Sequence, residues 1–476
     1  MGFPLALKFK QAVRVAVLIA CASVLVVAQE ADWLAGFDAY AHKDYEKALG
    51  ILRPLASNGD GRSQMALGFI YLKGEGVPKN AVEAVKWIRL AAEQGLAIAQ
   101  GTLGAAYGGG DGVPQDYATA LKWHRLAAKQ GHVQSMFDLG VMYDNGWGVP
   151  KDSTQAAVYF RMGAEGGDAT SQYNLGTMLE SGRAVPQSFV EAAKWYRKAA
   201  EQGLDLAQWN LGLMYSGGKG MPADFQEAAK WYEAAAKQGH VDAQCRMGTA
   251  YEHGLGVPEN PTEAVKWYRL SSEQGSLWGQ YRLGLMYMEG KGTAKNEELG
   301  DSLVLRAAEK GLSDAQSDMG SSLQHTDPKA ALVWFRKASI QGNTSSMVAI
   351  GHMYDEGRGT PKDFVKAAEW FLKAAEAGDI YGEASLAHAY MDGKGVQKSY
   401  LQAYVWLILA KADAPSRGMA NIYEKSAQEC EKHLKPTQIS EGQRRAAEMW
   451  AKRKKWDPVH PEGPSVIEKV QKAETK

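Results

Sequence analysis

The sequence predicts an all-α solenoid, a stack of short helix pairs. Three observations predict it. A stretch of 36 residues recurs along most of the chain, its apolar residues keep helical spacing, and glycines punctuate every copy at fixed places. The copy from Leu204 to Gly239, LDLAQWNLGLMYSGGKGMPADFQEAAKWYEAAAKQG, shows all three.

Ala207, Leu211, Met214 and Tyr215 share one face of a helix running from about Asp205 to Ser216. Gly217, Gly218 and Gly220 follow, in a loop where positive φ is needed, and Pro222 cannot continue the helix. Asp224 is placed to cap a second helix, and Glu227 three residues on completes a capping box. That helix carries Ala228, Ala229, Trp231, Tyr232, Ala235 and Ala236, and Gly239 stops it. Neither helix buries its apolar stripe alone, so copies must stack.

The mid-helix glycine recurs at Gly68, Gly104, Gly140, Gly176, Gly212, Gly248, Gly284 and Gly320, then at Gly351 after a shortened unit, and Ala387 takes its place last. Tyrosine follows three residues later in most copies, as at Tyr71, Tyr215 and Tyr390. Tryptophan marks the second helix, as at Trp87, Trp231 and Trp406. A glycine in mid-helix costs about 1 kcal/mol against alanine. Close backbone approach is the expected compensation, with Gly212 against Ala228, Ala229 and Ala235.

The pattern A-x-x-x-L-G-x-x-Y-x-x-G-x-G-V-P-x-D, then A-x-x-W-Y-x-x-A-A-x-x-G, resembles the Sel1-like repeat family, a relative of tetratricopeptide repeats. The first unit departs from it at the opening position, where Ser63 replaces the alanine. The resemblance covers about three quarters of the chain. It implies a right-handed α-α solenoid that serves as a scaffold or adaptor, with the first helices lining a concave surface that binds other proteins. Some secreted relatives carry a cysteine pair in each repeat. Those pairs are absent here, so nothing tied to that branch is carried over.

In chain order, residues 1–28 read as a secretory signal. Lys8, Lys10 and Arg14 precede an apolar run from Val15 to Val27, and Ala28 offers a cleavage point before Gln29. The apolar run falls short of the ~20 residues of a membrane span. The alternatives are a lipidated Cys21 after Leu18-Ile19-Ala20, or a retained membrane anchor. Residues 32–60, with Trp33, Phe37, Tyr40 and Leu52, resemble a tetratricopeptide unit without the glycine loop and are placed as an N-terminal cap. Ten repeats follow over 61–412, the eighth shortened so that His325-Thr326-Asp327-Pro328 alone joins its helices. Residues 413–456 are expected to form capping helices, and 457–476 a flexible tail.

Composition bounds the function. Of 476 residues, 45% are hydrophobic and 23% charged, with 54 basic against 54 acidic. A neutral chain gives no electrostatic footprint for nucleic acid. No H-E-x-x-H, G-x-S-x-G or C-x-x-C occurs. The Gly-Lys pairs at Lys219, Lys291 and Lys394 are followed by glycine rather than Ser or Thr, so none is a P-loop. No catalytic, cofactor or metal residue is assigned. His352 and His388, near Asp355, Glu356 and Asp392, offer a metal or pH-sensing reading against a plain solvated face. The run Lys452-Arg453-Lys454-Lys455 offers an acidic-surface contact against simple helix-end charge.

The candidate site is the first-helix face. Three residues before the glycine stand Phe137, Tyr173, Trp209 and Tyr281. Leu213 lies one residue after it, and Asp144, Glu180 and Glu252 four after. Together they suggest an aromatic ladder edged by carboxylates, suited to an extended peptide or a partner's helix bearing Lys or Arg. The competing reading is that the rings only pack between units. The expectation is an exported, periplasmic or secreted scaffold without enzymatic activity, with protein or peptide partners and no membrane span after signal cleavage. The rival is a cell-envelope hydrolase or carbohydrate-binding protein using the acidic groove.

Overall fold

The computed structural model describes residues 29–455, which hold helices and turns and no strand. The signal and the tail read from the sequence lie outside the described residues. The chain divides between His240 and Val241 into two compact units. The first holds the helices Gln29–Ala41 and Tyr45–Ser57 and then five helix pairs. The second holds five more pairs and the closing helices Arg417–Glu431 and Pro436–Lys455.

Repeat 5 shows why the pair forms. Its first helix is Asp205–Gly217 and its second Phe225–Lys237. Asp224 caps the second, accepting from the N–H groups of Gln226 and Glu227. The reciprocal half of the expected capping box is not made. The Asp224 N–H donates instead to the Tyr215 carbonyl at 3.0 Å, pinning one helix end to the other. Gly218 ends the first helix in the left-handed region at φ 63°. A side chain on Gly220 would lie 2.5 Å from the Phe189 carbonyl, because this loop sits on the second helix of the preceding repeat.

The mid-helix glycine does allow close approach, to a ring first and to the Ala228 backbone second. A Cβ on Gly212 would stand 2.6 Å from the Tyr232 ring. Gly140 meets Phe160 and Gly320 meets Phe335 at the same 2.6 Å. The Ala228 carbonyl is 3.3 Å from that Cβ on Gly212, while Ala229 and Ala235 are not among its nearest neighbours. The ring buried here is the residue after the tryptophan, while most tryptophans of the column stay half-buried. Where the glycine becomes Ala387, the residue in the ring position is Leu407.

A second column joins neighbouring repeats. Buried Gln208 donates to the Ala200 carbonyl at 3.2 Å, in the last turn of the preceding repeat's second helix. Its own oxygen accepts from Gln238 at 2.8 Å, and Gln238 also donates to the Gly203 carbonyl at 3.0 Å. Gln64 with Gln94, and Gln100 with Gln130, make the same set. In the second unit Gln316 donates to Ala308 and accepts from Gln341. The last carbonyls of a helix have no partner within it. The cap N–H groups satisfy one of them, as the Gly203 N–H does for Ala200 at 2.9 Å, and the glutamines add a second donor to it from across the repeat boundary.

The tenth repeat breaks this column. Glu383, fully buried, stands in the glutamine place, and Asp413 stands where the second glutamine belongs. Neither side chain brings an amide donor. The last helix supplies donors instead, the Trp450 indole N–H to Asp413 at 3.3 Å and Arg453 to the rest. The Arg453 guanidinium bonds Glu383, donates to the Ala375 carbonyl at 2.5 Å, and lies 3.9 Å from Asp413. Arg453, from the basic run, is thus committed inside the fold. Repeat 8 joins Ser313–Leu323 to Pro328–Ile340 directly, and Asp327 caps the second helix through the Ala330 N–H at 3.0 Å.

Two predictions follow from these contacts. Gly212→Ala destabilises by about 1–3 kcal/mol through overpacking against Tyr232. Tyr232→Leu in the same chain recovers part of that loss, as the Ala387–Leu407 pair does naturally. A double-mutant cycle in urea checks it, and strictly additive costs would show that the two positions do not couple. Gln208→Leu removes one of the two donors to the Ala200 carbonyl and one of the two acceptors of the Gln238 amide, and costs about 1 kcal/mol or more. Gln226→Leu on the exposed face changes the urea midpoint far less.

Candidate partner-binding face

The sequence places one aromatic residue near the middle of three successive first helices, Val133–Asn145, Ala169–Ser181 and Asp205–Gly217. Phe137, Tyr173 and Trp209 are all half-buried. Each leans on the buried ring of its own second helix. Phe137 lies 6.1 Å from Phe160, Tyr173 5.8 Å from Tyr196, and Trp209 5.3 Å from Tyr232, all tilted. Trp209 also stacks on His240 at 5.2 Å. The rings therefore contribute to packing and still present part of their surface. Leu213, one turn beyond Trp209, is half-buried as well.

The carboxylates separate into different classes. Asp144 pairs with Arg183 at 2.5 Å and accepts from the Ser153 hydroxyl at 3.0 Å. Glu180 accepts from the Tyr196 hydroxyl at 2.8 Å. Burial pushes the Tyr173 hydroxyl pKa up, and the Glu180 charge adds to that against a hydrogen bond with Asn210. Glu252 is not a surface group. It is 6% exposed, pairs with Arg282 at 2.5 Å and accepts from the Tyr268 hydroxyl at 2.7 Å. Burial alone would raise its pKa. The charge and hydrogen bond of Arg282 outweigh burial and hold it below the ordinary range. Tyr281 is 7% exposed and donates to Asp318 at 2.6 Å, so it belongs to the core of the second unit. The structure keeps Phe137, Tyr173, Trp209, Leu213, Asp144 and Glu180 on the first-helix face of one unit and puts Glu252 and Tyr281 inside the other.

Sequence reasoning missed a buried polar cluster in repeats 2 and 3. His124 takes the ring position, 36 residues before Phe160, and that spacing is the signal that could have found it. Its Nδ1 lies 3.1 Å from the Ser135 hydroxyl and 3.6 Å from Asp138. His132 Nδ1 approaches the same hydroxyl at 2.9 Å. Serine, histidine and aspartate together invite comparison with a hydrolytic triad. In a triad, serine and aspartate address opposite ring nitrogens. Here both face Nδ1, and Ser135 is fully buried. Burial, then the nearby His132, lowers the His124 pKa to about 3, so the ring stays neutral. The cluster is a polar plug in the core. His352 packs edge-on against Phe371 at 4.9 Å, and His388 bonds the Ala384 carbonyl. Among the described residues no group of three or more His, Cys, Asp or Glu is placed to hold a metal ion. None of the described helices is long and apolar enough to cross a membrane.

Comparison with known proteins agrees with this architecture. The family model of the Sel1 repeat matches ten successive segments, the first at 61–96, the shortened eighth at 316–343 and the last at 380–413. The chain is similar to the crystal structure of a protective antigen present in uropathogenic Escherichia coli strains and displaying an SLR fold. The two are 33% identical with a TM-score of 0.75, over 92% of this chain and 97% of that one. A Sel1 repeat protein from Oxalobacter formigenes is 32% identical over 52% of this chain and 98% of its own, at a TM-score of 0.46. An immunity protein from Pseudomonas aeruginosa is 22% identical over 44% of this chain and 81% of its own, at 0.26. A search of the curated proteins finds no match. Ten matched repeats and a relative aligned along nearly its whole length place the chain in the Sel1 repeat family, whose solenoids commonly serve as protein-interaction scaffolds.

Proposed function

We propose that this chain is an exported, non-enzymatic scaffold that holds a protein or peptide partner on the first-helix face of repeats 3 to 5. One observation carries the reading: Phe137, Tyr173 and Trp209 recur at the same half-buried place in three successive repeats of one unit. Aromatic side chains fixed by their neighbours bind with little loss of rotamer freedom, and truncating such an anchor commonly costs at least about 2 kcal/mol. Stacked first helices stand roughly 8–10 Å apart, a spacing that an extended segment or one face of a helix can follow. Export is supported by the basic and apolar pattern of residues 1–28. The protective antigen among its relatives points the same way, since an antigen that protects is one the host encounters.

The triple change of Phe137, Tyr173 and Trp209 to alanine tests the face. Lost capture of partners from envelope extract, with binding retained by a triple change on the exposed second-helix face, supports the proposal. Because the rings also pack, thermal unfolding is measured beside capture. A collapsed melt would assign the rings to the core and remove this face as the binding site. Export is tested separately by N-terminal sequencing of protein from the periplasm or medium. Gln29 as the first residue is expected. Lipid on Cys21 or an intact Met1 would overturn cleavage after Ala28.

A further inference from the structure

Two constellations 72 residues apart share a carboxylate and a tyrosine and differ at two places, Asn210 against Arg282 and Tyr173 against Cys245. In the second unit, Glu252 accepts from the Tyr268 hydroxyl, and Arg282 from the next repeat closes over it at 2.5 Å. In the first unit, Glu180 accepts from the Tyr196 hydroxyl in the same way. The residue in the arginine's place there is Asn210, an amide that carries no charge. Glu252 is thereby buried and neutralised, while Glu180 is half-exposed with no cation paired to it among the described residues.

The cations around Glu180 are committed elsewhere. Arg183 pairs with Asp144, and Arg197 bonds the Tyr215 hydroxyl. Lys219 stands where Arg183 stands one repeat earlier, but its ammonium lies 5.8 Å over the Phe189 ring. We propose that Glu180 is a seat for a guanidinium brought by the partner, so that an arginine side chain of the bound segment does for Glu180 what Arg282 does for Glu252. The chemistry favours arginine over lysine. A planar guanidinium offers several donors at once to the carboxylate and the tyrosine hydroxyls, and it tolerates contact with aromatic rings. This inference rests on the proposed binding face and names the side chain that face recognises.

The test uses the full mature chain and a fluorescein-labelled nonapeptide with one central arginine flanked by leucine and valine. Counterparts carry lysine or the neutral isostere citrulline in place of the arginine. The arginine peptide is expected to bind at least tenfold more tightly than the citrulline peptide, with lysine between them. Glu180→Gln keeps an acceptor for Tyr196, and it should shrink the arginine preference to within about twofold. Asn210→Arg builds the missing arginine into the chain and should do the same while leaving the melting temperature unchanged or higher. Equal binding of arginine and citrulline peptides by the unmodified chain would overturn the seat and leave the aromatic face standing. So would an arginine preference that survives both substitutions. If no peptide binds the unmodified chain at millimolar concentration, the seat fails, and the face is then judged by the capture experiment alone.

Discussion

The stack depends on how each repeat treats the end of the one before it. The cap glycine after a second helix already bonds a carbonyl of its last turn, as the Gly203 N–H bonds Ala200 at 2.9 Å. A carbonyl oxygen has room for a second donor, and the glutamine pairs bring it from the side, from the next repeat, tying one unit to the other. A buried amide that lost its partner there would cost about 1–3 kcal/mol. The pairs behave as units along the chain. Where the first member is replaced by Met136 or Met347, the second is gone as well, replaced by Gly166 or Ala377. Where only the second is lost, at Lys310, the Gln280 oxygen is left buried without a hydrogen bond.

Helix order, the glycine loops and the shortened eighth repeat were all legible in the sequence, because each is written in spacing or in residues with restricted backbones. The glutamine column was equally periodic and went unread. A polar residue inside a helix carries no apolar-pattern signal, and its meaning appears only when the carbonyl across the boundary is in view. The mid-helix glycine reads as close approach, and Ala228 is a neighbour as expected, but the nearer one is the Tyr232 ring. Helical spacing says that Tyr232 and Ala228 share a face, not which of them reaches the glycine backbone. At the candidate face the aromatic positions were legible and their half-buried state was not. Glu252 and Tyr281 share columns with Glu180 and Tyr173, yet Arg282 and Asp318 draw them inward, a difference decided by side chains one repeat away.

The same economy shapes the proposed binding face. One set of rings packs against its neighbours and keeps part of its surface exposed, so on the proposed function affinity and stability would be tied together at these positions. A partner that covers Trp209 and Tyr173 would meet rings already held by Tyr232 and Tyr196. Little ordering entropy is then left to lose on binding. The enzyme alternative finds less support in geometry. The carboxylates of the face are engaged by Arg183 and Ser153 at Asp144 and by the Tyr196 hydroxyl at Glu180, and Ser135 and His124 are buried in the core.

The replacement of two amides by two carboxylates in the tenth repeat bears on how such a chain can lengthen. Repeats that carry a glutamine pair, or neither member of one, are interchangeable bricks, and copying one into the middle of the stack leaves every boundary satisfied. The tenth is not such a brick. Copied inward without its final helix, it would bury Glu383 and Asp413 with no arginine between them. Growth by duplication is therefore open to the interior of this chain and closed at its C-terminal end, and the last repeat and the helix bearing Arg453 must be inherited together.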